Sequence, residues 1–347
     1  MSILSLSPES QPTAADNHRI ALSRGRADLA DKIPSHKTLF HAGVNKGLPI
    51  GNLNSQFFAN VYLNGLDQFV KHSLKCRYYL RYCDDFVLLS HDREQLVEWC
   101  GRIEAYLRDT LQLELNPRER FAPVTNGIDF LGYIVRRDYR LVRRRVVNHL
   151  QEKLRAFEAQ LVIEHPMVRC YRFDENTLDA LAATLSSYLG HFKPADCWNL
   201  WQSIWHRFPF LSQYLDFDAA RWKLVRKYPA PRGLQRVKRQ YRHFRWRFPD
   251  DVLLFQVGRF MECYDIGTPP DWERWLELKP MRWNRRGARY GFPYRQVGKQ
   301  LQTLLAQGWN VTVIRERRSD RRGILKRAPA RRYVPRTRPA GLVLNKV

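Results

Sequence analysis

The sequence predicts an α+β fold: an antiparallel sheet with helices on one face, then a helical region, then a small α/β module. Three observations predict it. Before residue 140, apolar residues alternate between helical spacing and short strand-like runs. Aromatic-rich segments with helical spacing fill 141–215, and a strand, helix, strand pattern follows Phe248. The 347 residues suffice for two or three domains.

Charge is the strongest feature of the composition. There are 59 Lys and Arg against 34 Asp and Glu, a net charge of +25. A globular protein this basic usually binds a polyanion, most commonly nucleic acid. The hydrophobic share of 44% excludes a disordered chain. No apolar run approaches about 18 residues, so we expect no membrane partner.

The sequence favours a cytoplasmic, reduced protein. The first residues show no basic stretch followed by an apolar block, the pattern of a signal peptide. The six cysteines form no Cys-x-x-Cys pair, so neither a zinc site nor a disulfide framework is indicated.

The first 34 residues are polar and predict a flexible leader. The stretch "HAGVNKGLPIGNLNSQ" follows, with three glycines suited to tight turns and close ligand approach. A core helix is then predicted, since apolar residues recur at helical spacing. These residues are Phe57, Phe58, Val61, Tyr62, Leu66, Phe69 and Val70.

Two adjacent carboxylates, Asp84 and Asp85, separate two strand-like runs in "YYLRYCDDFVLL". The runs predict a hairpin with the carboxylates at its turn. Asp is a common turn residue, which is one explanation. The other is that two carboxylates fixed at a rigid tip bind a divalent metal ion.

A second helix is predicted from about Asp92 to Leu111, and "GIDFLGYIV" at 127–135 predicts one strand with a glycine bend. The residues expected to be buried in that helix are Leu96, Val97, Cys100, Ile103 and Leu107.

Four stretches, "GLPIGNLNSQFFANVYLN", "YLRYCDDFVLL", "LELNPRE" and "GIDFLGYIV", resemble in order and spacing the palm of reverse transcriptases. The bacterial group with retrons, group II intron proteins and diversity-generating retroelements is most similar. The resemblance implies a palm at 35–140, a helical thumb at 141–215, RNA-directed DNA polymerase activity, an RNA template with a DNA primer, and two Mg²⁺ ions.

The resemblance also assigns roles to residues. It implies that Asp84 and Asp85 are catalytic and bind metal, with Asp84 as the bridging ligand. An aliphatic Ile50, where many reverse transcriptases have Gln, is typical of the diversity-generating enzymes, which copy adenine with frequent errors. Losing that polar contact would loosen nucleotide selection. Residues implied to contact nucleotide or nucleic acid are Tyr82, Cys83, Ile50, Gly51, Gln56, Phe130, Leu131 and Gly132.

The sequence departs from this family upstream of Gly47. The family carries a further metal-binding aspartate on an earlier strand, after a fingers subdomain. The upstream aspartates are Asp16, Asp28 and Asp31, and none lies in an aliphatic run. We therefore expect the chain alone to be a poor polymerase, truncated or completed by a separate polypeptide.

A basic linker is predicted at 216–247. Between Arg221 and Arg247 there are eleven Lys or Arg and no Asp or Glu. Aromatic residues interrupt the charges, a composition suited to a phosphate backbone with stackable bases. A solvated linker is the alternative. The aromatic residues are Trp222, Tyr228, Tyr241, Phe244 and Trp246.

The stretches "FPDDVLLFQVGRFMECYD" and "GFPYRQVGKQLQTLLAQGWNVTVIRE" are similar to the N-terminal mismatch-recognition domain of MutS, over 248–340. The resemblance implies that Phe260 wedges beside a mispaired base and that Glu262 hydrogen-bonds it, with duplex or mismatched DNA as partner. Phe260 is then expected to be partly exposed at a strand end, with Glu262 on the same side. The alternative is a core Phe. The sequence has no GxxxxGK[ST] phosphate loop, so we expect no MutS-type ATPase.

Two functions remain open at this point. One is a reverse transcriptase that transfers nucleotides with two Mg²⁺ ions and carries a C-terminal DNA-reading module. The other is a non-catalytic protein that binds primer–template without copying it.

Overall fold

A computed structural model gives the fold. It describes residues 53–115, 121–228, 234, 236–264, 272–281, 288–317 and 325–336. The chain divides between Leu131 and Gly132 into two compact units, called unit 1 and unit 2. Ile50 and Gly51 lie outside the described residues, as do Asp16, Asp28 and Asp31.

Unit 1 contains a hairpin packed against two helices. The predicted helices and the predicted hairpin are confirmed, and a π-helical turn, Phe69–Ser73, extends the first helix. The elements are α1 (Leu53–Gln68), β1 (Tyr78–Tyr82), β2 (Asp85–Leu89), α2 (Arg93–Leu111) and β3 (Ile128–Phe130).

The two helices of unit 1 bury part of the predicted set: Leu66, Val70, Ile103 and Leu107 are buried as predicted, and others are not. Asp92 caps α2 by accepting a hydrogen bond from the Glu94 backbone N–H at 2.8 Å. The buried residues of α2 follow a strict four-residue spacing, which rotates Val97 to the surface. In α1 the predicted Phe57, Phe58 and Val61 are exposed. The buried helix residues are Leu63, Leu66, Val70, Trp99, Ile103, Leu107 and Leu111.

The predicted bent strand at 127–135 is wrong in detail. Two strands form instead, β3 and β4 (Tyr133–Val135), because the backbone turns at Leu131 and Gly132. Leu131 and Gly132 each have a positive φ, 50° and 92° respectively. A side chain at Gly132 would place its Cβ 2.9 Å from the His191 ring, so glycine is required there.

Unit 2 contains strands from both the predicted thumb and the predicted module. After β4, its elements are β5 (Arg140–Val142), α3 (Arg144–Leu161), β6 (Val162–Glu164), β7 (Val168–Arg172), α4 (Glu175–Phe192), α5 (Trp198–Arg207), β8 (Leu215–Asp218), β9 (Lys223–Arg226), α6 (Val237–Arg247), β10 (Asp251–Val257), β11 (Phe260–Tyr264), α7 (Trp272–Leu276), β12 (Arg289–Pro293), α8 (Val297–Ala306), β13 (Asn310–Glu316) and β14 (Arg327–Pro335).

Seven of these strands form one mixed sheet, in the order β12-β11-β10-β13-β14-β7-β6. Neighbours are antiparallel except β10 and β13, which are parallel. Strands β6 and β7 lie in the region predicted as a helical thumb, where the sequence predicts no strand.

Hydrophobic cores cover both faces of this sheet. Helices α3, α4, α5 and α6 pack on one face, called the α6 face, where Phe255 and Ile314 are fully buried. Helices α7 and α8 pack on the other, called the α8 face, where Val311 and Phe292 are buried. Each strand therefore contributes side chains alternately to two cores.

The fold is thus mixed α/β with a large mixed sheet. The segment 216–247, predicted as a linker, carries β9, α6 and most of β8. The assignment of a polymerase palm and thumb stays a prediction, as do the domain boundaries. Within the described residues, no helix is long and apolar enough to cross a membrane.

Candidate nucleic-acid interface

The β1–β2 hairpin presents the predicted carboxylates at its tip. Tyr82 pairs with Asp85, so Cys83 and Asp84 form a two-residue turn. Asp84 and Asp85 are exposed, and Tyr82 is 60% exposed. Cys83 has a φ of 53°, in the left-handed region that favours glycine. The tip is therefore accessible and conformationally strained.

Arg81 holds this turn in place, a contact that the sequence analysis missed. Its Nη1 donates to the carbonyl oxygen of Cys83 at 2.7 Å and to Asn60 Oδ1 at 3.0 Å. Its Nε and Nη2 donate to the two carboxylate oxygens of Asp67, at 2.8 and 2.6 Å. Such a bidentate pair has a fixed geometry. The sequence offered one indication of this contact, because Arg81 alternates with aromatic residues within a predicted strand.

The Arg81 guanidinium, mainly by hydrogen bonding, holds the pKa of Asp67 below its usual range. Tyr79 also donates to Asp67 Oδ1, at 2.8 Å. Burial, and then this hydrogen bond, raise the pKa of the Tyr79 phenol. Asp67 is therefore a charged structural anchor beneath the turn.

The described residues do not form a complete two-metal site. They contain no group of three or more His, Cys, Asp or Glu side chains placed to hold a metal ion. Mg²⁺ takes near-octahedral oxygen coordination, and two carboxylates supply only part of it. The metal role of Asp84 and Asp85 therefore stays a prediction.

The other polymerase-like residues that the structure describes lie on α1 and at the end of unit 1. Gln56 is exposed on the first turns of α1. Phe130 is half-buried at the end of β3, and Leu131 is exposed. Gly132 begins unit 2. Their proposed contacts with nucleotide or primer stay predictions.

The β10–β11 hairpin presents Phe260 at its tip. Val257 pairs with Phe260, so Gly258 and Arg259 form the turn, and Gly258 has a φ of 59°. Phe260 is 48% exposed, as the resemblance to the MutS domain implies and not as a core Phe would be. The Gly258 N–H donates to Glu316 Oε1 at 3.1 Å, which fixes the turn against β13.

Glu262 lies on the same face of β11 as Phe260, as predicted, but it is only 7% exposed. Its carboxylate accepts hydrogen bonds from the Tyr264 hydroxyl and from Arg289 Nη1, the latter at 3.3 Å. Burial, then the bond to Glu262, raise the pKa of Tyr264. Glu262 would have to leave these partners to reach a base.

Helix α6 exposes a basic stripe that ends in a tryptophan. Arg239, Arg242 and Trp246 follow helical spacing and are exposed. Trp246 is 79% exposed, with the Arg247 guanidinium 5.5 Å from its ring centroid. The other aromatics of the basic segment are occupied in the core, so only Trp246 is free to stack on a base. Those in the core are Trp222, Tyr228, Tyr241 and Phe244.

A strand hairpin with an exposed apolar tip, beside a basic helix, defines a mixed α/β module with a surface suited to nucleic acid. Residues 235–338 match the family model of MutS domain I. This stretch is a MutS domain I-like module, and the match begins at 235, upstream of the predicted boundary at 248. No curated protein matches the chain. Strands β6 and β7 lie outside the match and extend its sheet.

Proposed function

We propose that the protein binds nucleic acid and that unit 2 contacts DNA through Phe260 and the exposed side of α6. The match to MutS domain I supports DNA as the ligand of this module. The net charge of +25 supports a polyanionic partner.

The exposed position of Phe260 is the observation that carries this proposal. An aromatic side chain at a hairpin tip can insert beside a base pair, and such wedges work best where stacking is weak. A core residue would be buried, as Phe292 is in the same sheet at 1% exposure. Arg259, beside Phe260 in the turn, adds a positive charge for the neighbouring phosphate.

The basic stripe of α6 lies on the same sheet face as Phe260. Arg327 joins the start of α6 to the end of β10, because its Nε donates to the Gln256 carbonyl at 2.7 Å and its Nη1 to Gln240 Oε1 at 3.5 Å. The first turn of α6 is therefore at the end of the sheet that carries the Phe260 hairpin. One duplex can reach both, with phosphates on the arginines and a base step at Phe260.

Phe260→Ala tests the proposal. We expect affinity for a mispaired duplex to fall by about 1–3 kcal/mol, the scale of one lost aromatic–base stack. The paired duplex should lose less, and the melting temperature should stay unchanged because Phe260 is half exposed. Phe121→Ala, at an exposed Phe of unit 1, is the matched control. It should change neither the affinity for either duplex nor the melting temperature. Equal loss for both duplexes, or an unfolded variant, would contradict the wedge.

A second candidate function is RNA-directed DNA polymerisation, with an RNA template and a DNA primer as partners. The exposed Asp84 and Asp85 at a strained tip favour it, since strained backbone clusters at functional sites. The incomplete set of metal ligands among the described residues favours instead a unit that binds primer–template without extending it.

Primer extension on an RNA template separates these two alternatives. We expect negligible extension by this chain with Mg²⁺, and primer–template binding that weakens steeply as salt rises. Extension that requires Mg²⁺ and disappears in Asp84→Asn would establish the polymerase. The matched control is Asp109→Asn, at an exposed carboxylate on α2.

A further inference from the structure

Three exposed arginines lie on three adjacent strands on the α8 face of the sheet. Arg331 of β14 pairs directly with Arg172 of β7. Arg315 lies on the next strand, β13, two residues beyond Val313, which pairs with Arg331. It is on the same face, since its guanidinium is 5.4 Å from the Tyr294 ring centroid. All three side chains are exposed. Residues far apart in sequence thus form one basic surface, called the arginine row.

The arginine row places like charges directly opposite each other. Side chains of directly paired residues are about 5 Å apart at Cβ, and like charges there destabilise a sheet. Two of the three arginines contact tyrosines: Arg331 Nη1 donates to the Tyr333 hydroxyl at 3.5 Å, and Arg315 lies over the Tyr294 ring. Neither tyrosine neutralises charge. An anion from outside the protein would.

The nearest carboxylate along β7 is already used. Asp174, two residues after Arg172, caps α4 by accepting hydrogen bonds from the Thr177 backbone N–H at 2.9 Å and hydroxyl at 2.7 Å. These bonds hold the pKa of Asp174 below its usual range. Asp174 also interacts electrostatically with Arg172, so it offsets part of that charge, but its hydrogen bonds commit it to the helix.

The spacing of the row suits a phosphate backbone. The three strands span about 10 Å, at about 4.8 Å per strand, and Arg315 is displaced a further two residues, about 7 Å, along β13. A nucleic-acid strand carries one phosphate per about 3.4 Å of helix axis, so two or three phosphates fall within that span. The planar guanidinium also matches the geometry of phosphate oxygens.

We propose that Arg172, Arg315 and Arg331 bind the backbone of a second nucleic-acid segment, on the sheet face opposite α6 and Phe260. This inference rests on the proposed nucleic-acid binding. Its consequence is that one molecule holds two segments at once. Arg172 lies outside the MutS domain I match, so β7 supplies part of a surface that the matched stretch lacks.

A sandwich assay tests the proposal with the full chain. One 20-base-pair duplex is immobilised on beads, the protein is added, and capture of a second, fluorescent duplex is measured. For Arg172→Gln/Arg331→Gln we expect second-duplex capture to fall at least 10-fold, while affinity for one duplex falls less than about 3-fold. The control is Arg155→Gln/Arg207→Gln, which removes the same charge from exposed positions on α3 and α5.

The stability of the variant provides a second readout. Because like charges repel across β7 and β14, the double variant should melt at the same temperature as the wild type or higher. Three outcomes would overturn the arginine row. Capture of the second duplex could survive in this variant, it could fall equally in the control, or it could fall together with the melting temperature. A wild type that binds no duplex would overturn the proposed function and the row with it. Binding of one duplex without capture of a second would overturn the row alone.

Discussion

The two hairpin tips share a geometry and differ in chemistry. Each has a two-residue turn whose first residue has a positive φ, 53° at Cys83 and 59° at Gly258. This is the pattern of a type II′ turn, in which the first central residue is normally glycine. The β10–β11 tip obeys that rule. The β1–β2 tip does not.

The backbone is therefore strained at the β1–β2 tip and relaxed at the β10–β11 tip. A left-handed L-residue costs about 1–2 kcal/mol, and it persists only where its surroundings hold it. The β1–β2 tip carries two carboxylates and is held by Arg81, whereas the β10–β11 tip carries Arg259 and Phe260 on relaxed glycine geometry. An acidic tip needs a cation before it can approach nucleic acid, and a basic tip does not.

The largest expected effect comes from removing the contact that holds the acidic tip. Arg81→Met should cost about 2–3 kcal/mol, between the values for exposed and fully buried ion pairs. Hydrogen exchange of peptides covering 78–89 should accelerate, while the β10–β11 hairpin stays protected. Arg102→Met, in an exposed pair with Glu98, is the matched control and should cost less than about 1 kcal/mol. Unchanged exchange at 78–89 would mean that Arg81 does not hold the turn.

The same ion pair predicts a pH dependence confined to unit 1. The folded pKa of Asp67 lies below its unfolded value near 4. Its contribution is therefore complete above about pH 4 and is lost as pH falls through the folded pKa. The free energy of unfolding in urea should differ between wild type and Asp67→Asn by a constant amount from pH 7 to 5. That difference should shrink below about pH 4, and a difference that persists in strong acid would contradict the ion pair.

Gly258→Ala adds to the basic tip the strain that the acidic tip already has. No atom lies within 4 Å of the added Cβ, so the cost is backbone strain alone, about 1–2 kcal/mol. The Phe260 side chain should also lose its fixed position, which weakens DNA binding. Gly298→Ala in α8 also meets no atom within 4 Å, and there Ala should stabilise the helix by about 0.5–1 kcal/mol. If the two substitutions change the free energy of unfolding equally, the backbone at Gly258 does not require glycine.

Local pattern predicted the features that depend on neighbouring residues. The β1–β2 hairpin and the two helices of unit 1 followed from alternation and helical spacing, whereas the exposure of Phe260 was implied by the resemblance to the MutS domain. The buried stripe of α2 includes the predicted Ile103 and Leu107, but Trp99 is buried and Val97 is exposed, because both are large apolar side chains and only packing chooses between them.

The local sequence pattern does not predict which strands pair when they are far apart in the chain. Strand β7 pairs with β14, about 160 residues later in the chain, and no local signal specifies that partner. The burial of Glu262 depends likewise on Arg289 from another strand. The arginine row could not be predicted for the same reason, since Arg172 and Arg331 are ordinary surface arginines until the sheet places them opposite each other.

The smallest expected effect comes from Cys83→Gly, which gives the acidic tip the residue that the basic tip has. Relief of about 1–2 kcal/mol of left-handed strain is offset by about 0.5–1 kcal/mol of extra chain entropy in the unfolded state. A net gain between zero and about 1.5 kcal/mol follows, measured by urea unfolding. Cys83→Ala separates the backbone from the thiol, because alanine keeps the strain and removes only sulfur. If Cys83→Ala gains as much as Cys83→Gly, the backbone at the acidic tip is not strained, and the two hairpins differ only in the charges they carry.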